Sequence, residues 1–206
     1  MSERMKLPGY EEQCRYDFTD EKGALLFQKV RFKAVDERAK RPKDFRYADA
    51  TNFPRKPAIA DSIIYNLPDV LAAVGADQTV HWSEGEADAD ALTALGYAAT
   101  SHHQGAGHVT PEQTSWLSGA ERVVLWADRD IPGAYDVWRR WQLLLAAGVP
   151  EEGIVIVVAR TGKDTRDHLN AGHTVAEAVP VNKATITELA AQYTAASARK
   201  AGYRAV

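Results

Sequence analysis

The sequence predicts an α/β fold: a parallel sheet with helices on both faces, preceded by a small basic α+β subdomain. Three observations lead there. Apolar runs at 79–83, 122–127 and 154–159 read as buried strands, and the last (Ile-Val-Ile-Val-Val-Ala) is continuous and β-branched, as a strand covered on both faces should be. Helix-like stretches alternate with these runs, and a βαβαβαβ order implies a parallel sheet. Charge divides along the chain as well. Residues 1–66 hold 14 Lys and Arg against 11 Asp and Glu, a net +3, which leaves −6 for the rest of a chain whose total is −3. The expected division is a basic subdomain over 1–60, a catalytic α/β domain over 61–182, and a C-terminal helix or tail over 183–206.

Taken in order, residues 1–15 read as a loose lead-in. Residues 16–32 read as a hairpin around Asp20-Glu21-Lys22-Gly23, with apolar and polar residues alternating on both sides. Strand parity puts Phe27, Lys29 and Arg31 on one face of its second strand, and Gln28, Val30 and Phe32 on the other. Residues 33–56 are basic and turn-rich, and Phe45, Tyr47 and Phe53 interleave with the charges, a composition that suits a single-strand groove. Residues 54–61 read as a seam between domains. Residues 63–71 then enter a short helix, with Pro68 near its first turn. Helices are expected at 88–95, 111–117 and 134–147, a second short strand at 97–100, a loop at 102–108, and an Ala-rich closing helix at 183–202. Trp138 and Trp141, three apart on the long helix, read as core packing.

Composition bounds the rest. At 206 residues with 45% hydrophobic content, the chain can bury a substantial core. One cysteine, Cys14, excludes an internal disulfide and a Cys-rich zinc module. No apolar run approaches a membrane span, and Met1-Ser2-Glu3-Arg4 shows no signal pattern, so a cytoplasmic chain with no membrane partner is expected. A net charge of −3 argues against a simple nucleic-acid coat. From Ala58 to Glu121, however, there are nine Asp and Glu and no Lys or Arg, so a basic front end adjoins an acidic body.

The chemistry gathers in three acidic clusters, each following a predicted strand: Ser83-Glu84-Gly85-Glu86-Ala87-Asp88, Asp128-Arg129-Asp130-Ile131-Pro132-Gly133, and Gly162-Lys163-Asp164-Thr165-Arg166-Asp167. Carboxylates at strand C-termini lie on the edge of an α/β sheet where ligands bind. Like charges gathered in a partly dehydrated site require cations, and hard oxygen donors suit Mg²⁺ or Mn²⁺. The expected site is therefore a divalent-metal phosphoryl-transfer centre. Asp88 and Asp90 also read as helix-start residues, capping or facing solvent. His102, His103 and His108, without cysteines or a spaced His pair, do not read as a zinc site.

The combined pattern of strand-Glu-Gly-x-x-Asp, strand-Asp-x-Asp-x-x-Gly and Lys-Asp before a helix resembles the TOPRIM domain of primases, topoisomerases and certain nucleases. It is most similar to the phage and plasmid TOPRIM primases. The likeness extends to Tyr16-Asp17-Phe18-Thr19-Asp20, Tyr65-Asn66-Leu67-Pro68 and Gly105-Ala106-Gly107, over roughly residues 16–171. It implies that Glu84, Asp128 and Asp130 are catalytic, that Glu84, Asp128, Asp130 and Asp164 hold metal, and that Asp88 supports them or meets a second metal. With primer synthesis as the activity, Lys29, Arg31, Lys33, Lys43, Arg46 and Lys163 would hold nucleic acid and nucleotide. Expected partners are single-stranded DNA and NTPs, with a helicase or zinc-binding primase subunit as separate chains and the host cytoplasm as the location. The chain departs from the pattern at His108 and Asn66, which replace basic residues. In the third cluster Arg166 intervenes and Asp167 is displaced by one residue, which turns it about 100° away around a helix. A small TOPRIM nuclease using Glu84 as general base is the rival enzyme. A degenerate module that recruits replication proteins through residues 183–206 is the third reading.

Overall fold

The computed structural model describes residues 6–48 and 55–200. Phe53 and residues 201–206, which carried part of the sequence reading, lie outside the described residues. The N-terminal sheet is antiparallel, in the order β1 (Tyr10–Thr19), β2 (Leu25–Ala34), β3 (Lys43–Ala48). At the hairpin turn Asp20 Oδ1 accepts the N–H groups of Lys22 and Ala24, and Gly23 takes φ +82°.

Two expectations fail here. Within the expected loose lead-in, residues 10–15 are not loose, since β1 starts at Tyr10 and pairs with β2 back to Ala34; residues 1–5 lie outside the described residues. Residues 10–15 are exposed or half-buried throughout, so no apolar alternation announces that part of the strand. The basic run hides β3, whose alternation is aromatic against charged rather than apolar against polar. The facing of β2 follows parity. Tyr16, Phe18 and Phe27 enter the main core, while Val30, Phe32 and Ala48 form a second small cluster behind the sheet.

The second sheet runs β5–β4–β6–β7–β8. Strands β4 (Val80–Trp82), β5 (Ala98–Thr100), β6 (Val123–Ala127) and β7 (Ile154–Val158) are parallel. The edge strand β8 (Val179–Pro180) pairs antiparallel with Val157 and Val158, and at two residues it is too short to show in the sequence. Helices α1 (Leu67–Gly75), α2 (Glu86–Thr93), α3 (Pro111–Ser115), α4 (Ile131–Ala146), α5 (Thr165–Asn170) and α6 (Lys183–Lys200) complete an α/β fold. Helices α2 and α4 start two and three residues earlier than expected. Gly85 and Asp130 are their N-caps, and Pro132 sits in the first turn of α4, where its missing N–H costs nothing. Trp141 is buried and Trp138 half-buried against Tyr135, as core packing requires.

Ala58–Gly75 corrects the statement about apolar runs: its 18 residues reach a mean hydropathy of 1.2, enough by length and composition for a span. The stretch is a short 3-10 turn (Ala58–Ser62), a break, and then α1, with Ile63, Ile64, Leu67 and Val70 in the core.

The two sheets share one core. Phe18 stacks on Phe27 at 4.6 Å, and Tyr65, which leads into α1, packs on Phe18 at 5.4 Å and edge-on to Tyr16 at 5.9 Å. Above this contact lies a buried ion pair. Lys29 Nζ of β2 donates to both oxygens of Glu86, the first residue of α2, at 2.7 and 2.9 Å. Lys29 is 7% exposed and Glu86 3%. Burial drives the Glu86 pKa upward, and the Lys29 ammonium opposes it. Lys29→Met strands a buried carboxylate and is expected to cost about 3–5 kcal/mol in urea unfolding, most of it recovered when Glu86→Leu is added. A loss below about 1 kcal/mol, typical of an exposed pair, would contradict this role.

Candidate active site

Strand order sets the site. The acidic clusters follow β4, β6 and β7, which are neighbours in the sheet, so three carboxylate-bearing ends emerge side by side. Glu84 leaves β4 just before Gly85. Asp128 and Asp130 follow β6, and Asp130 Oδ1 caps α4 by accepting the Gly133 N–H at 2.8 Å. Gly133 permits this close return, because a Cβ there would lie 2.6 Å from both Cβ and the carbonyl oxygen of Asp128. Asp164 caps α5 through the Asp167 N–H at 2.8 Å. The ends are laced together. Arg129 N–H donates to the Lys163 carbonyl at 2.9 Å, and Arg166 N–H to Asp88 Oδ1 at 3.0 Å. Asp88 therefore does not cap α2 but reaches across to the start of α5, and Asp90 accepts the Tyr65 hydroxyl at 2.8 Å.

A cleft of about 550 Å³ lies over this edge, lined by Glu84, Glu86, Asp88, Asp128 and Asp164 on one side. Arg31, Lys43, Phe45 and Tyr47 of the N-terminal sheet line the other, and Lys163 and Arg166 stand among the acids. Burial, with Asp128 and Asp136 nearby, pushes Glu84 up to about 7. Burial and Asp164 do the same for Asp88. Asp128 is raised by burial against the pull of Lys163. Asp130 moves the other way: burial would raise it, but the Lys163 hydrogen bond and the Gly133 N–H hold it low.

Lys163 Nζ lies 2.8 Å from Asp130 and 3.2 Å from Asp128. It balances the carboxylates, and among the described residues no group of three or more His, Cys, Asp or Glu is arranged to hold a metal ion. The donor chemistry nevertheless fits a hard divalent cation. All donors are carboxylate oxygens, Glu84 Oε2 is buried without a hydrogen-bond partner, and an ammonium already sits between Asp128 and Asp130.

The six predicted basic residues separate into distinct places. Arg31 and Lys43 face the acids across the cleft, with Arg31 6.0 Å and Lys43 5.9 Å from the Phe45 ring centre. Lys33 is exposed further along the same face, in a groove shared with Arg31, Arg41, Lys43 and Phe45. Lys163 lies within the acidic edge. Lys29 is committed to Glu86, and a buried ammonium held by both carboxylate oxygens is not a free phosphate contact. Arg46 points to the opposite face, where it pairs with Asp44 at 2.7 and 2.9 Å. Asp167 lies outside the cleft lining and accepts the Lys163 N–H at 2.7 Å, closing the turn before Asp164. The sequence reading missed Glu86 and Arg166 as cleft residues; Glu86 in Glu-Gly-Glu was the available signal. It also missed His103, which is buried and neutral, its pKa driven by burial to about 4. Its Nδ1 meets the Tyr47 hydroxyl at 2.8 Å and its Nε2 meets Asp61 at 3.1 Å, so the Tyr47 hydroxyl donates to Nδ1 and the Nε2–H donates to Asp61.

No family profile matches the chain, and no curated protein matches its sequence. Solved structures do match its fold. The Aquifex aeolicus primase, comprising zinc-binding and RNA polymerase domains, aligns over 86% of this chain at 17% identity and TM-score 0.57. A DNA primase domain from Pseudomonas aeruginosa aligns over 81% at 15% identity and TM-score 0.60. A DnaG primase catalytic domain bound to single-stranded DNA aligns over 81% at 15% identity and TM-score 0.57. This chain spans 39%, 51% and 53% of those chains, respectively. The fold is that of bacterial primase catalytic cores.

The raised acids carry a pH signature. Glu84 and Asp88 have folded pKa values near 7, above their ordinary 4.5 and 3.8. Each therefore stabilises the fold at low pH and loses that contribution as pH rises through about 7. With divalent ions chelated, Glu84→Gln with Asp88→Asn should gain melting temperature relative to wild type as pH climbs from about 4.5 to about 7. The difference between the two proteins is what counts, since Asp61 and Asp136 are held low and act in the opposite sense. A difference that is constant across this window would contradict the assignment.

Proposed function

We propose that this chain is the catalytic part of a TOPRIM primase of the phage or plasmid type, making RNA primers on single-stranded DNA by metal-dependent nucleotidyl transfer. One observation carries the reading: a basic, aromatic sheet face stands across a cleft from carboxylates at three adjacent strand ends, held there by the Lys29–Glu86 pair. The likeness to primase cores, one of them bound to single-stranded DNA, supports it. In this reading residues 1–60 grip the template, residues 61–182 carry the chemistry, and 183–206 form a C-terminal helix or tail. A helicase or a zinc-binding primase subunit is the further partner in this reading, in the host cytoplasm.

Glu84, Asp128, Asp130 and Asp164, supported by Asp88, would hold Mg²⁺ or Mn²⁺. A metal held there would supply Lewis acidity, which would favour ionisation of the primer 3′-hydroxyl and offset charge on the leaving pyrophosphate. Burial raises Glu84 to about 7, and a cation beside it would favour its carboxylate form. Lys163 leaves Asp128 and Asp130 and turns its ammonium to the triphosphate. Arg31 and Lys43 take phosphates from the opposite wall, and the Phe45 ring between them offers a stacking surface for a base. The poise of Glu84 equally suits a general base acting on water, which is the nuclease reading; the opposed basic sheet favours the primase.

Incubation with single-stranded DNA, labelled NTPs and Mg²⁺ or Mn²⁺ separates these readings. Lengthened products are expected, shortened DNA means nuclease, and neither means a degenerate binding module. Glu84→Gln should lower the rate by at least about 10²-fold, and Lys163→Ala by less. The two faces of the N-terminal sheet give a separate test. Arg31→Ala and Lys43→Ala should each reduce the salt slope of single-strand binding by about 0.7, while Arg46→Ala leaves it unchanged. Equal slopes for Arg31→Ala and wild type would return that face to ordinary solvated surface.

A further inference from the structure

The most deeply buried charges lie outside the cleft, on α4. Arg140 and Asp136 are both 0% exposed, as is His102. The Arg140 guanidinium forks across the sheet. Nη1 donates to the Trp82 carbonyl at 2.7 Å and Nη2 to the Trp126 carbonyl at 2.9 Å. Trp82 stands two residues before Glu84, and Trp126 two residues before Asp128. One rigid plane therefore spans the ends of two neighbouring strands just upstream of two acids of the site. On its third side Asp136 Oδ2 lies 2.8 Å from Arg140 Nε, an ion pair without an aligned hydrogen bond. Asp136 Oδ1 accepts the Gly107 N–H at 2.7 Å and lies 3.4 Å from His102 Nε2, so the same pair anchors the loop that brings His103, Gln104 and Gly105 to the cleft.

We infer that Arg140, oriented by Asp136, is a positioning residue that sets the separation of Glu84 and Asp128 by bridging the strand ends that carry them. The inference rests on the metal-dependent reading of the acidic edge. A buried charge pair is not needed to hold a helix on a sheet, and apolar residues of similar volume serve as well or better. Only a planar fork meets two carbonyls on adjacent strands at once. A lysine keeps the charge but, as a single flexible point, does not fix both. Groups that hold metal ligands in place from behind typically change metal affinity by about 10-fold to 100-fold when altered.

The test is Mn²⁺ binding to the full chain, measured by calorimetry or electron paramagnetic resonance, for wild type, Arg140→Lys and Leu144→Ala. Leu144 is buried on the same helix and controls for general loosening. The inference expects Arg140→Lys to bind Mn²⁺ at least about tenfold more weakly, and Leu144→Ala to bind like wild type. Equal affinity of Arg140→Lys and wild type overturns the inference alone, as does an equal loss in Leu144→Ala. Wild type that binds no Mn²⁺ overturns the metal reading and this inference with it. Should Arg140→Lys fail to fold, Asp136→Glu replaces it, since it keeps the negative charge near Glu84 but shifts the partner of Arg140; weaker Mn²⁺ binding is expected and unchanged binding overturns the inference.

Discussion

The arrangement depends on one buried ion pair, Lys29 with Glu86. The apolar contact between the two sheets, built from Tyr16, Phe18, Phe27 and Tyr65, supplies most of the attraction but little direction, because hydrophobic burial tolerates sliding. The ion pair tolerates none: its desolvation is offset only when Nζ meets both carboxylate oxygens, as it does at 2.7 and 2.9 Å. Since Lys29 shares the face of β2 with Arg31, fixing one fixes the other opposite the acids. Glu86 opens α2, two residues from Glu84, so the same contact also fixes the first acidic end.

On the acidic side the structure holds more negative charge than its own cations balance. Lys163 and Arg166 are interleaved with the carboxylates, and Lys163 bridges two of them. Glu84 and Asp88 still sit near 7, so part of the site is protonated around neutrality. A site of this kind is electrostatically unfinished. In the proposed function it would gain by taking in a cation, and the lysine so displaced would become available to an incoming phosphate. The opposed face carries the complementary charge on Arg31 and Lys43, with Phe45 between them.

Much of this was legible in the sequence, for physical reasons. A strand buried on both faces must be apolar, so a carboxylate placed just after one stands out; β4, β6 and β7 with Glu84, Asp128 and Asp164 were readable on that ground. Parity also gave the facing of β2. It could not say what β2 faces, so Lys29 read as a phosphate contact when its partner lies 57 positions away in Glu86. Arg46 failed differently. With β3 hidden among charges, there was no strand from which to take parity, and its opposite facing to Phe45 and Tyr47 went unseen. Asp130 and Asp164 show a third limit: each is both a helix cap and an acid of the site, and a side chain serving two ends looks in sequence like either one alone.

The central claim is that the carboxylates at three strand ends form one cation site facing the basic sheet. The most direct measurement is a crystal structure of the chain soaked in Mn²⁺, with anomalous scattering used to locate the metal. The account predicts an anomalous peak within coordination distance of Asp128 and at least one of Glu84, Asp130 and Asp164, with Lys163 Nζ moved off Asp128 and Asp130. A fully soaked crystal with no peak at this edge, and Lys163 still bridging the two aspartates, would contradict it.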